Sequence, residues 1–469
     1  MSLGVIDVGT TNMRLIIYDD ELKQSYLEAV NVPMLFPGGL RAEQDSTALR
    51  AAFNHLIKAS RERGVKLLGI STYRASMLAW DREGNPLTNV VTWLDRRGME
   101  VVSKFPLSLL ARVPPLGSIM SPSSPVAQVL WFIRNEEKLI HRVRRGEAFM
   151  GTLSSYIAYL VSGEYVDDAA NEALTGLWHP GSFRRISAIY DVLRIPREVG
   201  PEVVDDIHDI GEVDGVRVGV LTADQQAAMI GEGCLRPGCV KITNGTGSFV
   251  DMAVGGFRMV GRGLLPLLVL KAGGEAFYGV EGFLPATGSV MDWLVRLGLI
   301  GSPQELDGLA GVDARGLLVV PALAGVNVPP RPCALGLVSG LGLDTTRESF
   351  VRAVLEGMVQ LIGLIFDSMR GIAEVSVVRV AGGLSKSSLF LKLLATALNV
   401  RVERQRDVEA TARGTAALLK VFRGDWSIRD LVGGAQVEVE TSVAPGEEGL
   451  SLNRDAVRRA VRGMKCRTR

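Results

Sequence analysis

The chain has 469 residues, with 52 Lys and Arg against 51 Asp and Glu for a formal net charge of +1, and 47% of it is hydrophobic. That balance leaves no overall basic field of the kind that draws a protein onto nucleic acid. At roughly 150 residues per domain the length suggests two to three domains, each able to bury a core without metal or disulfide staples.

The first elements alternate between strand and helix. Residues 4–6 and 15–18 are apolar runs flanking the polar loop Asp7-Val8-Gly9-Thr10-Thr11-Asn12, and residues 25–30 supply a third, alternating segment. Leu49, Phe53, Leu56 and Ile57 recur at helical spacing between Ser46 and Arg63, and Gly64 marks the stop. Residues 65–70, 77–80 and 90–93 read as strands, with Gly84-Asn85-Pro86 as a turn. Such alternation predicts an α/β fold. A helix begins near Asp224 in Thr222-Ala223-Asp224-Gln225-Gln226-Ala227-Ala228. Residues 231–238, which include Pro237, form a natural joint, so two domains are expected at 1–236 and 237–469. Past the joint the opening design returns: strand 240–243, the loop Asn244-Gly245-Thr246-Gly247, then strand 248–254. Later, strand 376–380 runs into Ala381-Gly382-Gly383, and a helix follows over 387–398.

Several features bear on location. Met1-Ser2-Leu3-Gly4-Val5-Ile6-Asp7 lacks a basic stretch and reaches an acid by its seventh residue, unlike a secretory signal. The longest apolar stretch, around residues 264–270, is far short of the ~20 residues of a membrane helix. Cys234, Cys239, Cys333 and Cys466 are too few for a disulfide framework, and the first two lack the second Cys or His pair of a zinc site. A cytoplasmic protein with no nucleic-acid or membrane partner is expected.

The two Gly/Thr loops hold the first candidate chemistry. Closely spaced backbone N–H groups and hydroxyls can wrap phosphate oxygens without a bulky side chain in the way. Asp7, at the end of a buried strand, is placed to hold a hydrated Mg²⁺, and Arg14 adds charge for phosphates. Taken singly, each loop reads more readily as an ordinary hairpin turn; their recurrence in two halves shifts the balance toward the phosphate reading. Gly382-Gly383 suits either the approach of a nucleotide or a tight strand–helix turn. Asp224 reads equally as a helix cap or as a general base aimed at an alcohol. His55, His141, His179 and His208 lie in unrelated contexts and support no hydrolytic triad.

In this order the segments resemble the FGGY family of carbohydrate kinases, its glycerol kinase branch most of all. The matching stretches run from Asp7-Val8-Gly9-Thr10-Thr11-Asn12-Met13-Arg14 through Gly69-Ile70-Ser71-Thr72-Tyr73-Arg74 and Trp93-Leu94-Asp95-Arg96-Arg97 to Asp224-Gln225-Gln226-Ala227-Ala228. They continue with Asn244-Gly245-Thr246-Gly247-Ser248-Phe249, Gly336-Leu337-Val338-Ser339-Gly340-Leu341 with Ala353-Val354-Leu355-Glu356, and Ala381-Gly382-Gly383-Leu384-Ser385-Lys386-Ser387. The resemblance implies two actin-like (ribonuclease H-like) domains with a nucleotide and substrate cleft between them, MgATP as phosphoryl donor, and a polyol or sugar hydroxyl as acceptor. It makes Asp224 the base and Asp7 the magnesium-side carboxylate. Thr10, Thr11, Arg14, Gly245 and Thr246 would hold phosphates, and Gly288, Asp292, Gly382, Gly383 and Ser387 the nucleotide. Arg74, Trp93, Gln225 and Phe249 would face the acceptor.

Three positions depart from the glycerol kinase pattern: Ala75 stands for Glu, Ser123 for Tyr and Gln128 for Lys. Glycerol is the favoured acceptor. A pentulose such as xylulose is the alternative, and an actin-like nucleotide switch without kinase activity is the rival class. Assembly into identical subunits stays open.

Overall fold

Residues 3–8 are apolar except for Gly4 and Asp7, and all six are buried, as expected of a strand covered on both faces. A computed structural model describes residues 2–104, 120–261, 263–332, 334–407 and 409–464. In it, Leu3–Val8 pairs antiparallel with Asn12–Tyr18 and parallel with Leu67–Thr72. Val216–Ala223 joins Leu67–Thr72 in parallel, while Ile207–Val213 and Gln24–Asn31 close the sheet as antiparallel edges. Helix Ser46–Glu62 is capped by Asp45, whose side chain accepts from Thr47 and Ala48, and it buries Leu49, Phe53, Leu56 and Ile57. Gly64 takes φ 75° just past its end.

A second helix, Ala410–Arg423, packs on strands Leu3–Val8, Leu67–Thr72 and Val216–Ala223. It lies so close that a Cβ on Gly69 would meet Thr415 Cγ2 at 2.7 Å. These elements belong to a compact unit made of Met1–Gly233, Leu267–Tyr278 and Glu409–Gln436. The chain therefore leaves this unit and returns to it twice. A smaller sheet in the same unit orders Met34–Leu35, Glu43–Gln44, Val90–Val91, Met77–Asp81 and Ala148–Thr152.

The other unit comprises Cys234–Pro266, Gly279–Val408 and Val437–Arg469. Its sheet repeats the plan of the first. Cys239–Asn244 is antiparallel to Ser248–Val254 and parallel to Val377–Gly382. Val402–Gln405 follows in parallel, and Val439–Val443 closes that edge antiparallel. Lys241 and Asp251 face each other across the first hairpin with Nζ–Oδ2 at 2.7 Å, both fully buried.

Helix Arg347–Met369 is long and apolar enough to cross a membrane, but 94% of its apolar window is buried inside the fold. This helix corrects the expectation that residues 264–270 are the longest apolar stretch, and it carries Arg352 and Glu356 within it. Those two residues pair at 2.9 Å, and Glu356 also accepts from the backbone of Ser451 and Leu452. A second correction concerns the cysteines: Cys234 and Cys239 are joined in a disulfide. The turn through Pro237 and Gly238 (φ 86°) brings their Cα atoms to 5.0 Å, inside the usual range for a bridge. Cys333 and Cys466 lie outside the described residues.

Beside the first sheet, Asp167, Asp168, Glu172 and Asp206 are buried together. Thr152 donates to Asp167 at 2.6 Å, Asn171 to Asp168 at 2.9 Å, and the Ala170 N–H to Asp206 at 3.0 Å. Burial pushes the Glu172 carboxyl up to about 8, and burial with the charge of Asp168 raises Asp167 and Asp206 as well. The folded state thus binds more protons than the unfolded chain, and stability falls as pH rises from the ordinary carboxylate range through 8. Glu172→Gln is expected to flatten the part of the melting temperature against pH curve that lies in that window. Lys241→Met strands the Asp251 carboxylate and is expected to cost about 3–5 kcal/mol, read as an earlier urea transition.

Candidate functional site

Three parallel strands end level in the first unit: Val8, Thr72 and Ala223 occupy one register row. The residues just beyond them gather at the carboxyl edge of a parallel sheet, where α/β folds place their ligands. Asp7 lies one residue inside that edge, opposite Arg14 on the antiparallel neighbour and beside Ser71 on the parallel one. Its Oδ2 accepts from Arg14 Nη2 at 2.6 Å and its Oδ1 from Ser71 Oγ at 2.9 Å. The other arm of the Arg14 fork reaches Glu409 Oε2 at 2.8 Å. Burial works against the guanidinium charge, but Asp7 and Glu409 more than offset it, so the Arg14 pKa is raised.

The loop after Asp7 is pinned from several sides. Gly9 N–H donates to Asn12 O, and Val32 N–H to Thr11 O. Gln44 Nε2 donates to Thr10 O at 2.7 Å and to Val32 O at 2.8 Å, and its own oxygen accepts from the Tyr73 hydroxyl. Trp93 Nε1 donates to Thr10 Oγ1 at 3.3 Å, which places a phosphate-side and an acceptor-side candidate in contact. The chain after Trp93 is braced by buried Asp95, which binds Arg97 Nη2 and the Ala42 N–H, each at 2.8 Å; Arg97 also pairs with Glu43.

Asp224 is the first residue of helix Asp224–Gly231; the cap position belongs to Ala223. Asp224 therefore does not act as the cap. Its Oδ1 instead accepts from the Gln225 N–H at 2.7 Å, and Arg74 Nε stands 3.5 Å from the same atom. Arg74 Nη1 reaches Gln226 Oε1 at 3.4 Å. Desolvation raises the Asp224 carboxyl above the ordinary carboxylate range; Arg74 opposes this rise and the charge of Asp7 adds to it. Asp7, Thr10, Arg14, Arg74, Trp93, Asp224 and Gln225 are thus gathered on one edge, with exposed Thr11 at the tip of the loop.

Helix Asp224–Gly231 is held by close backbone packing. A Cβ on Gly231 would fall 1.9 Å from Ala410 O, and one on Gly414 would fall 1.9 Å from Ala227 O. Helix Ala410–Arg423 also sends Thr411 Oγ1 to Asp224 O and Arg413 to Gly231 O.

In the second unit the equivalent edge carries Gly245, Thr246, Gly288, Gly382 and Gly383. Gly288 N–H donates to Gly245 O at 3.0 Å, and the N–H groups of Thr287 and Ser289 both reach Thr246 O. A Cβ on Gly288 would meet Gly245 O at 2.4 Å. Gly382 (φ 88°) leaves 2.2 Å between such an atom and Asn244 O, so strand end and loop meet only because side chains are absent. Asp292 is exposed on helix Gly288–Arg296, one turn from Gly288. Phe249 stacks on Phe283 with centroids 4.5 Å apart. Ser387 caps helix Ser388–Leu398, accepting from the Phe390 N–H, and its hydroxyl donates to Asp307 at 2.6 Å, so this side chain is already engaged in local structure.

Glu409, Ser71 and Gln44 are site residues that the sequence reading did not reach. Ser71 had a signal, being the register partner of Asp7 in a quoted segment; Glu409 lies 395 residues from Arg14 and had none. Gln128, noted only as a departure, donates from Nε2 to Ala75 O, Thr92 O and Ser123 O at 3.5, 3.2 and 3.2 Å, tying together the segments that follow Arg74, precede Trp93 and hold Ser123. Ala75 itself sits at φ 54°, a strained value for a residue with a side chain.

Residues 2–231 match the N-terminal domain, and residues 240–421 the C-terminal domain, of the FGGY family of carbohydrate kinases. Glycerol kinase from Coxiella burnetii (strain RSA 493 / Nine Mile phase I) is 31% identical over 443 residues, 89% of this chain and 88% of that protein. Glycerol kinase from Citrifermentans bemidjiense is 32% identical over 448 residues, 89% of this chain and 90% of its own. Among solved structures, Plasmodium falciparum glycerol kinase with ADP superposes with a TM-score of 0.88 at 24% identity, covering 98% of this chain and 96% of that one. Ligand-bound xylulose kinase from Lactobacillus acidophilus gives 0.84 at 18% identity, with 98% and 96% covered. These likenesses show the two-domain, actin-like fold.

Because Arg74 holds the Asp224 pKa down against burial, Arg74→Gln is expected to move the Asp224 titration midpoint to higher pH. Carboxyl-carbon NMR of the labelled protein reads this directly; an unchanged midpoint would mean that the ion pair carries no charge coupling.

Proposed function

The chain belongs to the FGGY family of carbohydrate kinases, phosphotransferases with an alcohol group as acceptor, and from that premise we propose that it transfers the γ-phosphoryl group of ATP to a hydroxyl of glycerol, giving glycerol 3-phosphate and ADP. The observation that carries this reading is Asp224: a carboxylate made more basic by burial, at the carboxyl edge of the sheet, flanked by Arg74 and Gln225. Relatives at 31–32% identity that are glycerol kinases support the acceptor.

In-line transfer needs an acceptor hydroxyl aimed at the γ-phosphorus, a taker for its proton, and compensation for phosphate charge. Asp224 takes the proton late in the transfer. Arg74 and Gln225 hold the remaining hydroxyls, while the face of Trp93 packs against carbon; Phe249 is the acceptor-side residue of the second unit. Thr10, Thr11 and Arg14 are the phosphate-holding residues of the first unit, and Gly245 and Thr246 those of the second. Gly288, Asp292, Gly382 and Gly383 line the adenosine end, and Ser387 acts there through the helix it caps.

The residues fit a Mg²⁺ that keeps most of its water. Both oxygens of Asp7 are already bonded, and among the described residues no group of three His, Cys, Asp or Glu gathers to chelate a metal. Asp7 would hold such an ion through its waters, and the ion would offset phosphate charge. A kinase works where ATP is made, which supports a cytoplasmic location.

A pentulose is the second reading, favoured by Ala75 and Ser123. A glycerol-type pocket with neither carboxylate nor phenol at these positions loses bonds to hydroxyls and gains room, and the xylulose kinase likeness agrees. The test is ADP release with MgATP across glycerol, erythritol, xylitol, D-xylulose, L-xylulose, D-ribulose and gluconate. Glycerol is expected to lead in kcat/KM, and a leading pentulose would move the assignment to the second reading. Asp224→Asn is expected to lower kcat by at least about a hundredfold while nucleotide affinity stays within about twofold. Near-normal turnover in that variant would remove Asp224 as the base.

A further inference from the structure

We propose that Glu409 is a positioning residue for phosphoryl transfer, acting through Arg14; the inference rests on the kinase reading above. Arg14 is gripped at both ends of its fork, Nη2 by Asp7 at 2.6 Å and Nη1 by Glu409 at 2.8 Å. Asp7 is its register partner across the hairpin, so that contact follows from strand pairing alone. Glu409 is delivered from a distant part of the sequence, at the residue preceding helix Ala410–Arg423. Its side chain makes no cap hydrogen bond to that helix and reaches Arg14 instead.

The reason for a second carboxylate lies in guanidinium geometry. An arginine facing one carboxylate tends to close on it with two parallel bonds. Arg14 in that arrangement would give both arms to Asp7, neutralise the carboxylate expected to face hydrated Mg²⁺, and turn away from the phosphates. Glu409 takes one arm and prevents that closure. The fork is then fixed between two anchors, with its remaining N–H groups available for an anion, and Asp7 keeps Oδ1 for Ser71. Strand Leu3–Val8 and helix Ala410–Arg423 pack against each other, so the two anchors move as one body.

The experiment compares wild type, Glu409→Ala, Glu409→Gln, Arg14→Ala and the Arg14→Ala/Glu409→Ala double variant by steady-state kinetics with MgATP and the best acceptor of the panel. Glu409→Ala is expected to lower kcat/KM for ATP about ten- to a hundredfold while the acceptor KM stays within about twofold. Glu409→Gln, which keeps an oxygen for Arg14, is expected to recover part of the loss. The double variant is expected to match Arg14→Ala within about twofold, since a residue acting through Arg14 has nothing left to position. Losses that multiply in the double variant, or Glu409→Ala activity equal to wild type, would overturn the proposal. If Glu409→Ala does not fold, by its melting curve, Glu409→Gln alone and combined with Arg14→Ala carries the same comparison. A wild-type protein silent on the whole acceptor panel would instead defeat the kinase reading, which separates the two failures.

Discussion

The site of the first unit depends on two helices that touch backbone to backbone. Asp224–Gly231 and Ala410–Arg423 approach within a distance that only Gly231 and Gly414 allow, since any side chain at either place would overlap a carbonyl oxygen of the other helix. This contact fixes the depth of the helix that begins with Asp224. It also sets Thr411 against the Asp224 carbonyl and brings Glu409, one residue before the second helix, to the Arg14 fork. Asp224, Arg14 and both anchors of Arg14 are thereby referenced to one packed surface. A catalytic constellation needs that rigidity, because errors of about 1 Å in the reacting geometry can cost two orders of magnitude in rate.

The two units share a plan and have diverged at its key positions. Each has a three-residue loop between antiparallel strands, Gly9-Thr10-Thr11 in one and Gly245-Thr246-Gly247 in the other, with a parallel strand alongside. Counting back from the loops, Asp7 corresponds to Thr243; their cross-strand register partners are Arg14 and Phe249. Where the first unit places an ion pair, the second places a hydroxyl opposite an aromatic ring. The parallel neighbours differ as well: Ser71-Thr72-Tyr73-Arg74 supplies side chains, while Ala381-Gly382-Gly383 removes them. One edge carries charged and hydroxyl side chains, and the other brings backbone close to backbone. A shared plan carries two unlike edges through these few differences.

Much of this was legible in the sequence where the signal is local. The strands flanking each Gly/Thr loop, helix Ser46–Glu62 and the strand into Gly382 announce themselves by short-range periodicity and turn residues. What was missed depends on contacts between distant segments. The long apolar helix Arg347–Met369 was not read, and the charged Arg352 and Glu356 within it neutralise each other. Glu409 carries no motif that links it to Arg14. Ser387 belongs to a segment matched to the adenosine side, while its hydroxyl bonds to Asp307, 80 residues earlier. The Cys234–Cys239 bridge depends on how tightly the turn between them closes, which cysteine spacing alone does not convey.

The late return of Glu409–Gln436 to the first unit has a consequence for how the protein is made. Strands Leu3–Val8, Leu67–Thr72 and Val216–Ala223 leave the ribosome early, but the helix that covers them is translated about two hundred residues after Gly233. At roughly 5–20 residues per second, that apolar sheet face waits about 10–40 s for its cover. Over that interval the nascent chain exposes the kind of surface that chaperones bind, and a transcript truncated before residue 409 would encode a first unit that never closes.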